Sequence, residues 1–206
     1  MKINEKYGKL ANNKIVEKTA DALKKKGVNV FITENSQEAK EKVKELLPEN
    51  AEIMNMTSTT LQQSGIEKEI MESGRYQSVK RKLEAMAKNG NEKEKRALGA
   101  IPEWTIGSIH ALTQDGQFVI ASATGSQLPA YAFGAKNVVW VISTKKIVKD
   151  LGGALKRIYE YSLPLEDARA RKAYGIGSAV NKILIMNKEF QPKRITAILV
   201  KEDLGF

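Results

Sequence analysis

The N-terminal third of the chain alternates between the hydrophobic period of a helix and that of a strand. One helix is predicted to begin after the capping Asn12 or Asn13 and to stop at Gly27, and a second to be capped by Ser36 and ended by Pro48. The runs that follow them favour strands: VNVFIT over 28–33 and AEIMNM over 51–56. This order implies crossover helices and therefore parallel strands in a sheet covered on both faces.

Beyond Pro102 the pattern is dominated by strands. Residues 105–113 and 117–123 flank Asp115-Gly116, a dipeptide typical of a two-residue hairpin turn. Such a turn pairs residues whose numbers add up to about 231, which would place His110 opposite Ala121. The remaining predicted elements are a central strand over 138–143 (VVWVIS), helices over 151–161 and 166–174 separated by Pro164, and strands over 182–186 and 195–200. The fold class predicted is α/β, a mostly parallel central sheet flanked by helices, with an antiparallel hairpin around Asp115-Gly116.

Segment 75–98 is the most polar and basic part of the chain. Eight lysines and arginines oppose three glutamates, and only a thin apolar stripe accompanies them. We predict a helix, a break at 89–91 (Asn-Gly-Asn) and a further helical turn, forming an exposed, mobile insertion or arm outside the core. Two interpretations are open: a solvated connecting helix, which mixed-sign charge favours, or an arm that contacts phosphates. We expect residues 1–206 to form one domain.

Composition narrows the function classes. There is no cysteine, which excludes a disulfide framework and a thiolate or iron–sulfur site, and no apolar run approaches the roughly 20 residues of a membrane helix. The first residues lack the apolar core of a signal peptide, so we expect a cytoplasmic protein. The net charge of +10 fits a nucleic acid, an acidic membrane surface or anionic metabolites as partner, and equally fits lysines that solvate helix faces.

The candidate ligand-binding residues centre on Thr124, Gly125, Ser126 and Gln127, which follow the strand QFVIASA and precede a helix-like stretch. Glycine lets a ligand oxygen approach the backbone, while hydroxyls and N–H groups donate to an anion. The alternative is a simple strand-to-helix turn in which Ser126 only caps the helix.

Other candidates lie on neighbouring predicted elements. His110, the one histidine, is a candidate general acid or base, or a structural histidine, and a histidine-rich metal site is excluded. Thr57 and Ser58 follow a strand at the edge where ligands gather in open α/β sheets, or else cap a helix. Lys145 or Lys146 would supply positive charge, and we take Lys145 as the site residue.

Three blocks of the sequence resemble the LUD-domain family, the lactate-utilization proteins, and its short stand-alone branch in particular. They are GSIHALTQDGQFVIASATGSQLPAYAFGAKNVVWVISTKKIV, LPLEDARA and ITAILVKEDLGF, and the resemblance covers about residues 10–206. It implies the α/β fold of a superfamily shared with ribose-5-phosphate isomerase, glucosamine-6-phosphate deaminase and CoA transferases. In the isomerase branch a similar T-G-S loop holds the sugar phosphate, which corresponds here to Thr124, Gly125 and Ser126. The isomerase acidic motif and the CoA-transferase glutamate have no counterpart, so the resemblance leaves the reaction and any cofactor open.

The leading hypothesis is a LUD-domain protein that binds a small anionic metabolite, a phosphate or carboxylate, at the 124–127 loop. It would serve organic-acid metabolism of the lactate type, either as an enzyme or as an accessory subunit with protein partners in an organic-acid oxidation system. The alternatives are a nucleic-acid-binding module using the 75–98 segment and a partner-docking subunit whose site is vestigial. Nucleic acid is disfavoured because residues 80–98 hold no aromatic side chain for stacking. Neither a membrane partner nor a metal is expected, and a homodimer is one possible assembly.

Overall fold

Parallel strands form the centre of the molecule, as the alternating pattern predicts. The computed structural model describes residues 2–86 and 91–206. Its strands are Asn29–Thr33 (β1), Glu52–Asn55 (β2), Gln77–Ser78 (β3), Trp104–Gly107 (β4), Ala111–Thr113 (β5), Phe118–Ser122 (β6), Asn137–Ser143 (β7), Ile147–Val148 (β8), Lys182–Met186 (β9) and Ile195–Val200 (β10). Six of them form a wholly parallel sheet in the order β1-β10-β7-β4-β2-β3, and four form a mixed sheet in the order β8-β5-β6-β9. The predicted fold class is confirmed.

Helices cover the sheets and begin where the sequence offers caps. The α-helices are Asn13–Lys25 (α1), Ser36–Leu46 (α2), Thr59–Gln63 (α3), Ile66–Glu72 (α4), Val79–Met86 (α5), Glu92–Ala100 (α6), Leu151–Arg157 (α7) and Leu163–Tyr174 (α8). The side chain of Asn12 caps α1, as predicted. The side chain of Asn35 caps α2, one residue before the predicted cap Ser36. Within the described ranges no helix is long and apolar enough to cross a membrane.

The core lies on both faces of the parallel sheet. One face packs against α1 and the mixed sheet, where the rings of Phe118 and Trp140 lie 4.4 Å apart. The other face packs against α2, α3 and α4. Strand β7 sends Trp140 to the first face and Val139 and Val141 to the second, which is why residues 138–142 are all apolar.

The predicted strand 105–113 is wrong in one respect, because it is two strands in two different sheets. Strand β4 ends at Gly107 and β5 begins at Ala111, so residues 108–110 cross from the parallel sheet to the mixed one. The hairpin register also differs by one residue, since Ala111 pairs with Val119. Gly116 has φ of +85° and closes a three-residue loop instead of a two-residue turn.

The predicted break at Pro164 is also wrong. Residues 158–162 form a π-helical turn that joins α7 to α8, and Pro164 lies in the first turn of α8. Proline has no N–H for the carbonyl of Glu160 four residues before it. That carbonyl accepts a hydrogen bond from the backbone N–H of Asn4 at 2.9 Å, so the helical path continues without an unsatisfied group.

Segment 75–98 is divided between core and surface. Tyr76, Ser78 and Val79 are buried, and β3 extends the edge of the parallel sheet, so the expectation that the whole segment lies outside the core is wrong. By contrast, α6 contains no buried residue. Residues 87–90, with most of the predicted Asn-Gly-Asn break, lie outside the described residues.

Candidate functional site

A cavity of about 670 Å³ opens between the two sheets, beside the carboxyl ends of β2 and β4. Its wall includes the end of β2 with the start of α3, the 108–110 crossing, the end of β6 with the loop after it, and the region of α8. Lys146, part of α5 (Lys80, Leu83 and Glu84), residues 178–180 and Phe206 also line it. Of the residues predicted from the sequence, the wall includes Thr57, Ser58, His110, Thr124, Ser126 and Gln127. The position agrees with the rule that ligands of α/β sheets bind outside the carboxyl ends of strands.

Hydrogen bonds to distant parts of the chain hold residues 108–110 in place and so position His110 in the cavity wall. Ser108 Oγ donates to the carbonyl of Val141 at 2.6 Å. The carbonyl of Ile109 accepts from Lys146 Nζ at 2.9 Å, and the carbonyl of His110 accepts from the guanidinium of Arg157. These bonds replace the ladder hydrogen bonds that a continuous strand would have made.

The His110 ring is held in one tautomer. Its Nδ1 accepts a hydrogen bond from the backbone N–H of Ala121 at 3.1 Å, so the ring proton lies on Nε2. Burial, with the nearby positive charges of Lys146 and Arg157, lowers the pKa of His110 to about 3. At neutral pH the ring is therefore uncharged and offers an N–H donor.

The 124–127 loop is closed by its own side chains. Gly125 N–H donates to Ser122 Oγ at 2.7 Å, and Ser126 N–H donates to Thr124 Oγ1 at 3.3 Å. Ser122 Oγ and Gln127 Oε1 lie 2.9 Å apart, and Thr124 Oγ1 lies 3.1 Å from Ser126 Oγ. Two amides of the loop are thus satisfied internally, and the donors it can offer to a ligand are mainly its hydroxyls.

Gly125 shapes this loop without itself lining the cavity. Its φ is +88°, and a Cβ at this position would come within 2.7 Å of Lys182 Cδ. Both the left-handed backbone and the close approach of Lys182 therefore require glycine here.

Thr57 and Ser58 lie at the N-terminus of α3. Ser58 Oγ accepts from the backbone N–H of Leu61 at 3.4 Å and caps α3, while both residues line the cavity. The capping and cavity-lining interpretations thus coexist for Ser58.

The two adjacent lysines point in different directions. Lys145 is outside the cavity wall; its ammonium pairs with Asp203 and lies 5.8 Å from the centroid of the Tyr161 ring. Lys146 lines the cavity and is 2% exposed. Burial first, and then the charges of Arg157 and Lys145, lower its pKa well below that of a solvated lysine. Among residues 2–86 and 91–206 no carboxylate forms an ion pair with it.

Several wall residues were not singled out from the sequence. Asn55 is fully buried at the end of β2, and its Oδ1 has no hydrogen-bond partner in the described part of the chain. Glu166 and Arg169 form a two-point ion pair with both N–O distances at 2.7 Å. In the sequence, Asn55 could have been recognised as a polar residue at the end of an apolar strand. No local pattern distinguished Glu166 and Arg169.

Two lysines of α5 form ion pairs with glutamates. Lys80 Nζ lies 2.6 Å from Glu67 Oε1, and Lys82 Nζ lies 3.2 Å from Glu52 Oε2. These contacts place two lysines of the 75–98 segment against carboxylates of this chain. In the described ranges no cluster of three or more histidine, aspartate or glutamate side chains is arranged to hold a metal ion.

Comparison with known proteins supports the resemblance seen in the sequence. The structure is similar to the crystal structure of a DUF162 family protein from Deinococcus radiodurans, with a TM-score of 0.56 and 9% sequence identity, over 93% of this chain and 99% of that one. At this identity the likeness concerns the fold alone. No curated protein matches the chain. The model of the LUD domain matches residues 16–200, and the chain therefore belongs to the LUD-domain family.

Proposed function

We propose that the cavity between the two sheets binds a small anionic metabolite carrying a phosphate or carboxylate group. The observation that carries the proposal is Lys146, whose Nζ belongs to a cavity wall and has no carboxylate partner among the described residues. A buried nitrogen of this kind can exchange a contact with an uncharged hydroxyl for a hydrogen bond to an anion, and bonds to charged groups contribute about 1.5–3 kcal/mol each.

The charges around the cavity support an anionic rather than a cationic ligand. Lys80 and Arg169 are matched by Glu67 and Glu166. Arg157 is fully buried behind the His110 crossing and donates to uncharged oxygens of His110, Ser162 and Lys145. Burial lowers the pKa of Arg157 to about 10, which still leaves the guanidinium charged at neutral pH. Its field makes the inner end of the cavity positive.

The loop and the histidine would orient the ligand. The hydroxyls of Thr124 and Ser126 bond mainly to each other and can exchange this contact for a ligand oxygen. His110 would donate through Nε2 to a second oxygen, acting as a neutral donor rather than as a charged acid. Organic-acid metabolism of the lactate type is the setting we propose, on the strength of the family resemblance, and a cytoplasmic location is part of the same proposal.

The proposal is tested by calorimetric titration of the protein with phosphate, sulfate and small hydroxy and oxo acids at low ionic strength. We expect saturable binding that Ser126→Ala weakens by about 1–3 kcal/mol, the range for losing a hydrogen bond to a charged group. Ser73→Ala is the matched control, because Ser73 is an exposed serine outside the cavity wall. Absence of saturable binding for every anion, or equal effects of the two variants, would contradict the proposal.

A further inference from the structure

Lys146 is buried in the cavity wall without a carboxylate partner among the described residues. It ends the short 3-10 turn Thr144–Lys146 between β7 and β8, and its side chain runs inward. Its Nζ lies 3.0 Å from Thr60 Oγ1, 3.0 Å from Ser108 Oγ and 2.9 Å from the carbonyl oxygen of Ile109. Ser108 and Ile109 are themselves part of the cavity wall, so the amine lies at the surface of the binding space.

The hydrogen bonds around Nζ involve only uncharged oxygens. Nζ donates to Thr60 Oγ1, to Ser108 Oγ and to the carbonyl of Ile109. Ser108 gives its own proton to the carbonyl of Val141. No carboxylate among these partners stabilises a positive charge on the amine.

The surrounding charge acts in the same direction. Arg157 and Lys145 are the charged neighbours that oppose protonation of Lys146, and the pKa of the amine is lowered by both of them and, above all, by burial. The carboxylate of Asp203 is paired with Lys145. The neutral ring of His110 adds no negative charge to the site. A lowered pKa increases the fraction of neutral amine, the form that is nucleophilic towards carbonyl carbon.

We propose that Lys146 forms an imine with a small anionic carbonyl compound, an aldehyde acid or a 2-oxo acid, bound in the cavity. The inference rests on the proposed function, which supplies the site for the anionic group. Once Nζ has lost its third proton, rotation about the Cε–Nζ bond turns the free lone pair towards the cavity.

In the first step the lone pair of Nζ attacks the carbonyl carbon, a C–N bond forms, and the π electrons move to the carbonyl oxygen. The Nε2–H group of His110 is the donor available to stabilise the charge on that oxygen. The two hydrogens of the amine then leave with the oxygen as one molecule of water, and the C=N bond is complete. No oxidant or other reactant is consumed.

The experiment is reductive trapping of the whole protein with sodium borohydride in the presence of glyoxylate or pyruvate, followed by intact mass measurement and peptide mapping. We expect one adduct, on Lys146, formed at pH 7 at least about tenfold faster than on surface lysines, since each unit of pKa depression increases the neutral amine fraction about tenfold. Glycolaldehyde, which has no anionic group, should label this site more slowly than glyoxylate.

Two variants and one control complete the test. Lys146→Arg and Lys146→Met should each lose the adduct, and Lys149→Arg, which alters an exposed lysine nearby, should keep it. If neither Lys146 variant folds, as judged by circular dichroism, the mapped position of the adduct on the unaltered protein decides the question. Adducts spread evenly over surface lysines, or no adduct under conditions in which calorimetry detects carboxylate binding, would overturn the imine proposal and leave anion binding standing. Absence of anion binding together with a Lys146 adduct would refute the proposed function instead.

Discussion

Acidification should destabilise the protein through its one histidine. The pKa of His110 is about 3 in the folded chain, lowered by burial and by Lys146 and Arg157, against 6.5 for an unperturbed histidine. The unfolded chain therefore binds a proton below pH 6.5 that the folded chain does not bind until about pH 3. Stability is full above pH 6.5, falls as the pH decreases through this window, and stops falling on this account near pH 3.

The magnitude follows from the linkage relation. One proton bound only by the unfolded state costs about 1.4 kcal/mol per pH unit, and at pH 5–6 the unfolded histidine is largely but not wholly protonated. We expect the free energy of unfolding to decrease by about 1 kcal/mol between pH 6 and pH 5. This is slightly less than about 1.4 kcal/mol because the unfolded histidine is not wholly protonated and the folded ring keeps contact with water through the cavity.

Urea denaturation at pH 7, 6, 5.5 and 5 measures this loss, with His110→Gln as the control. Carboxylates titrate in both proteins, so the difference between their pH slopes reports His110 alone. Because the chain has one histidine, its ring signals in nitrogen-detected NMR are unambiguous and give the protonation state directly. Identical slopes for the two proteins, or a ring that protonates with a midpoint near 6.5, would refute this account of the site.

Two further predictions concern the loop and the cavity mouth. Gly125→Ala should destabilise the protein by about 1–3 kcal/mol and weaken anion binding, because the backbone is left-handed and the new Cβ would meet Lys182; denaturation and calorimetry measure the two effects. Lys80→Glu should cost about 1 kcal/mol more than Arg81→Glu, since it sets a second carboxylate against Glu67 while Arg81 is exposed; equal denaturation midpoints would contradict this.

The central strands could be predicted because their burial leaves a local mark. Strand β7 is covered on both faces, so its residues 138–142 are apolar whichever way they point. The glycines and asparagines at helix ends likewise act over a few residues, and the caps at Asn12 and Asn35 lie within one residue of the predicted ones.

The division of the predicted strand 105–113 could not be predicted in this way. A strand that continues and a strand that crosses to another sheet have the same alternating pattern up to the crossing. What ends β4 is a set of distant partners: Val141 for Ser108, Lys146 for Ile109 and Arg157 for His110. No window of neighbouring residues contains these contacts.

The candidate site shows the same division between local and distant information. Residue types alone indicated the hydroxyls of Thr124 and Ser126, and the structure places both in the cavity wall. Which of Lys145 and Lys146 faces the cavity depends on the rotation of one short turn, and that rotation is set by Asp203 on one side and Thr60 on the other. Sequence reasoning favoured Lys145 for the site, whereas the cavity wall contains Lys146.

The two candidate catalytic side chains share a structural origin. Strands β4 and β7 are neighbours in the parallel sheet, and the strands that follow each of them, β5 and β8, are neighbours in the mixed sheet. Two stretches of chain therefore cross side by side from one sheet to the other, one carrying His110 and the other carrying Lys146. The bond from Lys146 to the carbonyl of Ile109 ties the two crossings together at 2.9 Å. This bond holds the amine near His110, whose pKa Lys146 helps to lower, so the geometry of the site is a consequence of how the two sheets are joined.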